Sequence, residues 1–353
     1  MTDVQLGLFR ETCFGKLLDF QDLKLQPQLV HCLLLREISH SIPKEIWFDV
    51  SGFGLRFSIA EFAVVTGLKC SGEFDTSTIP SSDSNSLIKK YFNSCSKVTR
   101  EDIETCFLGQ KADCDEDTVK IGILYVLGLF FFTSSKDKVI SETYLAIVDS
   151  GLWDSYDWGK DLFDVTLQNL KGRLFGADDS ESDYFFYRIL GFPLALQVWF
   201  YECCGYCDGV FACRSVSTIP RMLSWHSSIA HTFKKLNMEL LSLSASQLKL
   251  HNVELTALES QSPELHALFS SHPLRPQNMS SVSNAGEGTS SSFDGVFSNS
   301  VLQAFENQLD TKLLAFKEFV QGEFTDLEHK LDRVISLSHV QSSKHTNSDF
   351  FLS

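Results

Sequence analysis

Cys203, Cys204, Cys207 and Cys213 are the only cysteine cluster in the chain, and His226 and His231 follow them. Cys204-x-x-Cys207 has the knuckle spacing of a tetrahedral zinc site, which normally takes its remaining ligands from a second such pair. That pair is missing and the histidines are not at a standard distance. Reduced thiols packed like small hydrophobes are therefore the expectation, with zinc as the alternative. A redox C-x-x-C is expected less, because no strand–helix unit of the thioredoxin type surrounds it. Asp113, Asp115 and Asp117 have the alternating spacing of a calcium loop. The sixth and twelfth positions of that loop, Gly and Glu in an EF-hand, are Thr118 and Leu124 here, so the match fails. Carboxylates opening a helix, where its dipole favours them, need no metal. His31 lies in an apolar segment, where an isolated histidine is expected to be hydrogen-bonded in a core rather than to serve as a ligand.

A nucleophilic cysteine needs a histidine base, and none lies between His40 and His226 in the chain. P-loop, dinucleotide, H-E-x-x-H and G-x-S-x-G patterns do not occur. No catalytic residue, cofactor or metal ligand is assigned, and a non-enzyme is expected.

The most legible element is Glu45 to Cys70, EIWFDVSGFGLRFSIAEFAVVTGLKC. Ile46, Phe48 and Val50 alternate with Trp47 and Asp49, the period of a strand with unlike faces. Ser51 to Gly54 supplies a tight reversal, and Leu55 to Phe57 returns as a second strand. Ser58 and Glu61 form an S-x-x-E capping box, predicting a helix with Ile59, Phe62 and Ala63 on its buried side. Gly67 fits the left-handed position that ends it. Upstream, Pro27 opens a helix to Ile38 that should lie under this hairpin. Downstream, Thr99 with Asp102 marks another helix start. Ile121 to Thr133 reads as a buried helix, too short for the roughly 20 residues that cross a bilayer. Phe163, Leu167 and Leu170 share a helix face, Pro193 opens a largely buried helix, and Phe233 to Leu258 is expected as a long helix or a pair.

With 353 residues, 43% of them hydrophobic and 30 of them Phe, the chain can build a large core. A formal charge of −15 disfavours broad attraction to nucleic acid or anionic lipid. The N-terminal sequence shows no basic start followed by an apolar run. An intracellular protein of nucleus or cytoplasm, with reduced thiols and no membrane segment, is expected. The fold class is α+β and predominantly helical, with a small β-hairpin and a C-terminal coiled-coil helix. A globular domain is expected at 10–260, a disordered Ser-rich linker at 261–300, the coiled-coil helix at 301–337 and a disordered tail at 338–353.

In that last helix Leu302, Phe305 and Leu309 recur eleven places on as Leu313, Phe316 and Val320, then as Phe324, Leu327 and Leu331, and finally as Ile335. A repeat of eleven is about 3.67 residues per turn, so the apolar stripe runs almost straight along the helix. The remaining faces carry seven acidic and four basic side chains between Glu306 and Arg333. Such a helix is expected to associate through its stripe, with itself or with a partner helix.

Four segments, in order, resemble one family: LREISHSIPKEIWFDVSGFGLRFSIAEFAVVTGLKC, YDWGKDLFDVTLQNLKGRL, YRILGFPLALQVWFYE and IPRMLSW. The family is the plant domain of unknown function DUF1985, and the resemblance covers roughly Phe14 to Trp225. It implies a plant protein of Mutator-like transposon ancestry. Members often precede a cysteine protease domain of the SUMO type, whose order is His, Asp, Gln, then a Cys before Gly. Gln197 and Cys204-Gly205 mimic the end of that order. Gln197, however, belongs to the non-catalytic segment, and no suitably spaced histidine precedes it. Arg56 and Glu61 match family positions, for which a helix cap and a strand salt bridge account. Where the family commonly shows Ile-Pro after this helix, this chain has Cys203-Cys204. The expected function is a non-catalytic interaction protein. An accessory module for a SUMO-type protease encoded elsewhere and a nucleic-acid-associated accessory of transposition are the alternatives.

Overall fold

The computed structural model describes residues 1–274, except 21–22, 73, 82–83, 95–96, 133–137, 175–188 and 228. The chain enters through α1 (Asp3–Arg10), whose start is closed by a reciprocal box between Thr2 and Gln5. α2 (Pro27–Leu34) follows, with Pro27 in the first turn where its missing N–H costs nothing. It is shorter than the pattern to Ile38 predicts. Glu37–Ile38 forms a short strand, β1, antiparallel to β2 (Glu45–Val50), and the Asp49 N–H is taken by the Arg36 carbonyl. Backbone groups of residues 36–38 are thus claimed by the sheet, and the helix cannot run through them.

β3 (Phe53–Ser58) pairs with β2 from Glu45↔Ser58 to Val50↔Phe53, so the hairpin loop is the two residues Ser51-Gly52. Their φ values of 54° and 78° are those of the turn that matches strand twist, and Asp49 Oδ1 accepts the Gly52 N–H at 2.8 Å. The strand faces are less unlike than the alternation predicts. Ile46, Phe48 and Phe57 are buried, but so are Trp47 at 5% exposure and its register partner Arg56 at 1%. Both faces are covered.

α3 (Ile59–Thr66) begins on the predicted Ser58–Glu61 box and ends on Gly67 at φ 68°. It too lacks a solvent side: every residue from Ala60 to Thr66 is buried. α4 (Ser86–Tyr91), α5 (Arg100–Leu108, boxed by Thr99 and Asp102), α6 (Asp115–Val126) and α7 (Glu142–Asp149) form a group around α6, which runs on through a π-helical turn at Leu127–Phe131. Val119 to Tyr125 are all buried, and among the described residues no helix is long and apolar enough to cross a membrane.

α8 (Trp158–Leu170) and α9 (Pro193–Cys203) pack on α3. Every residue of α9 is buried, and Trp199 lies against Phe48 and Phe57 with ring centroids 5.5 and 5.2 Å apart. Phe163 of α8 extends the cluster to Phe57 and Phe62. The sheet therefore rests on α9, and α3 is the element on which α8, α9 and β3 converge.

A two-residue strand β4 (Cys213–Arg214) pairs with β5 (Trp225–His226). In place of one long helix over Phe233 to Leu258 the chain forms a pair of short helical pieces that end at Leu248. The segment holds α10 (Phe233–Lys235), a π-helical turn at Leu236–Leu240, α11 (Ala245–Leu248) and then extended chain. Ser244 caps α11 with Gln247, so a helix start is written into the middle of the leucine-rich stretch. α12 (Pro263–Ser271), capped by Ser262, packs on α3 and occupies positions assigned above to a disordered linker. The apolar period of Leu265 and Leu268 was too short to separate from the Ser-rich tract. Half-helical content with a small antiparallel sheet makes the fold α+β. The linker beyond 274, the coiled-coil helix at 301–337 and the tail lie outside the described residues.

Candidate functional site

The polar residues that the structure gathers in its interior come from the four segments quoted above and from the chain after them. Arg56 and Glu61 meet at 2.6 Å with both side chains buried. The same carboxylate accepts the Ser58 N–H at 2.8 Å and the Ser58 hydroxyl at 2.5 Å, so one glutamate closes the helix cap and neutralises the strand arginine. The Arg56 guanidinium also donates to the His272 carbonyl at 2.6 Å.

A second buried cluster is centred on Glu202, at the end of α9. Its oxygens accept the indole N–H of Trp225 at 2.7 Å and the Arg221 guanidinium at 2.9 Å, with Arg214 at 3.3 Å. Arg221 reaches on to Glu259, donating to both of its oxygens at 2.8 and 2.7 Å, and to the Glu254 carbonyl at 2.6 Å. Burial opposes both charges, but the pair overrides it: Arg221 is shifted up, and Glu259 is held below the usual carboxylate range. The arginine and tryptophan of IPRMLSW therefore hold the final glutamate of YRILGFPLALQVWFYE. The Pro220 ring of the same motif lies against the Gly67 cap, where an added Cβ would stand 2.8 Å from it.

Residues 251–272 form a strap over these elements. Asn252 accepts the Arg56 N–H at 3.0 Å and donates to the Gly54 carbonyl at 3.2 Å, occupying the outer edge of β3. Glu264 accepts the Cys70 N–H at 2.9 Å. Sequence reasoning missed the strap, because its polar residues find partners about 200 positions away and no local pattern marks them.

The protease-like residues have other work. Gln197 is fully buried; its amide oxygen accepts the Gln26 N–H at 2.6 Å and its nitrogen donates to the Lys24 carbonyl at 3.0 Å. Seven residues of helix separate it from Cys204 by roughly 10 Å along the axis, too far for both to meet one carbonyl. Burial, with the carboxylates of Glu61 and Glu202 nearby, pushes the Cys203 thiol up, opposite to what a nucleophile requires. Cys203, Cys204 and Cys207 are buried and Cys213 is exposed. Among the described residues, no group of three or more His, Cys, Asp or Glu side chains is disposed to hold a metal ion.

The acidic run is engaged from several sides. Asp117 takes Lys90 at 2.8 Å and the Tyr91 hydroxyl at 2.6 Å, Asp115 takes Gln5 at 2.8 Å, and Glu116 pairs with Lys120 at 2.8 Å. His31 lies beside the Phe233 ring at 6.1 Å, and burial lowers its pKa to about 4. One further cavity, of about 230 Å³, is walled chiefly by Leu127, Phe132, Ile140, Tyr144, Val165 and Leu190. Its walls come from separate stretches of chain, which is why no motif announced it. The ten stripe positions from Leu302 to Ile335 lie outside the described residues, so their relation to this body is not part of the geometry above.

No curated protein and no solved structure matches the chain. The hairpin, α3 and the helices through most of α8 fall within residues 34–169, and this segment matches the model of the family described as Domain of unknown function (DUF1985).

Proposed function

We propose that the chain is a non-catalytic intracellular interaction protein of plant transposon ancestry, in which the folded body carries a C-terminal helix that joins it to a second copy or to a partner helix. The observation that carries this reading is the eleven-residue recurrence of apolar positions from Leu302 to Ile335. Fully burying a Val, Leu, Ile or Phe side chain is worth roughly 1.5–3 kcal/mol. Ten of them, even half covered, match the roughly 4–15 kcal/mol that association costs. An unpaired helix of this length would leave that stripe in water. The interior of the body supports the same reading, since Arg56, Glu61, Glu202, Arg221, Glu259 and Gln197 are engaged in holding segments of the chain to one another.

Light scattering on the intact chain beside a version ending before Val301 tests the proposal. The intact chain is expected to be at least dimeric, or to capture a helical partner stoichiometrically, and the shortened one to be monomeric. Equal monomer masses with no partner captured by either would overturn it.

A further inference from the structure

The turn that follows α9 brings two thiols together. The Cys207 N–H donates to the Cys204 carbonyl at 3.0 Å, closing a four-residue turn over Gly205-Tyr206. Such a turn holds its end Cα atoms within about 7 Å, the range that a disulfide spans. Both thiols are buried. The Cys204 thiol in turn lies 3.5 Å from the Leu248 carbonyl. Residues 248–251 run antiparallel to the turn, with Tyr206 N–H on the Leu248 carbonyl at 3.1 Å and His251 N–H on the Cys203 carbonyl at 3.0 Å.

We propose that Cys204 and Cys207 are a reversible redox pair that closes into an intrachain disulfide on exposure to a peroxide. The two sulfurs differ in the way a directed reaction needs. The neighbouring Cys207 side chain shifts the Cys204 thiol down, whereas burial pushes the Cys207 thiol up and keeps it protonated. Cys204 is the attacking sulfur. Its thiolate forms an S–O bond with one oxygen of hydrogen peroxide as the O–O bond breaks, and the departing hydroxide takes up a proton to leave as water. Cys207 then loses its proton and attacks the Cys204 sulfur; the S–S bond forms, the S–O bond breaks, and a second water leaves. The two thiols lose two electrons and two protons in all, and one peroxide becomes two waters. Peroxide is close to water in size, so local opening of residues 248–251, which lead into the strap, admits it where a larger oxidant is excluded. Closing the bridge removes the Cys204 thiol proton from the Leu248 carbonyl and loosens that ladder. The proposal is independent of the C-terminal helix.

The test uses the intact, fully reduced chain, treated with graded hydrogen peroxide, then alkylated and fragmented in a mass spectrometer. A species lighter by two hydrogens is expected, with the bridge between Cys204 and Cys207, reversed by dithiothreitol, at doses that leave the buried Cys32 reduced. Hydrogen exchange at Tyr206 and at residues 249–251 should rise with it. Cys207→Ser should stop the reaction at a sulfenic acid on Cys204 that dimedone traps, and Cys213→Ser should leave bridging unchanged. Full alkylation of both thiols at every dose, or a bridge to Cys203 or Cys213 instead, would overturn the assignment; the wild-type measurement decides this even if a variant fails to fold.

Discussion

Glu202 shows how much a single side chain can organise. It is buried, it accepts from Arg221, Trp225 and Arg214, and through Arg221 it is tied to Glu259 more than fifty residues on. A buried pair of this kind adds little or no net stability over an apolar replacement, but losing one partner leaves a charge without compensation and costs about 3–5 kcal/mol. Nothing in the local sequence distinguishes Glu202 from a surface glutamate, because its partners are set by the path of the chain. His31 carries a prediction at the same scale. Its folded pKa of about 4 lies below the usual 6.5 because burial disfavours the imidazolium. Between these values the unfolded chain binds the proton and the folded one does not. Its contribution is therefore present above pH 6.5 and is lost as the pH falls through 4. The ceiling is about 3 kcal/mol, and partial exposure reduces it to roughly half. Urea midpoints of His31→Gln should fall less steeply than wild type from pH 6.5 to 4; parallel curves would show that the ring does not titrate there.

At the scale of elements, backbone approach decides where a side chain is tolerated. Gly159, in the first turn of α8, donates its N–H to the Lys69 carbonyl at 2.8 Å, and an added Cβ would stand 2.4 Å from the Cys70 sulfur and 2.7 Å from that carbonyl. Gly7, in α1, has nothing within 4 Å of the same position. Gly159→Ala should therefore destabilise by about 1–3 kcal/mol, as overpacking does, while Gly7→Ala should stabilise by about 0.5–1 kcal/mol through helix propensity. Denaturant titration of both variants checks the contrast, and like-signed changes would contradict it. Elements whose ends are encoded in adjacent residues were legible: the Ser58–Glu61 box, the Thr99–Asp102 box, Pro27, Pro193 and the Gly67 cap all stand where the spacing put them. Those whose ends depend on distant partners were not. α2 stops at Leu34 because β2 claims the next backbone groups, and the leucine-rich stretch after Phe233 is divided by the Ser244 cap.

At the scale of the molecule, the family segment and the folded unit differ in extent. Residues 34–169 contain the sheet and α3, but Trp199 beneath the sheet, Pro220 on the Gly67 cap and Asn252 on the β3 edge all come from later in the chain. Residues 34–169 produced alone should accordingly show no cooperative unfolding transition by circular dichroism, whereas residues 1–274 should; a sharp transition in the short piece would mean that α9 and the strap are accessory. The sequence by itself determined the hairpin, the α3 cap, the buried character of α6 and α9 and the regular apolar stripe near the C-terminus, since each depends on residues within a few turns of one another. Tertiary structure alone decided that both faces of the hairpin are covered, that Gln197 and the arginines are internal fasteners, and that Cys204 and Cys207 share a hydrogen bond. Contacts between residues up to about 200 positions apart leave no periodicity to read, because their partners are chosen by the shape of the folded chain.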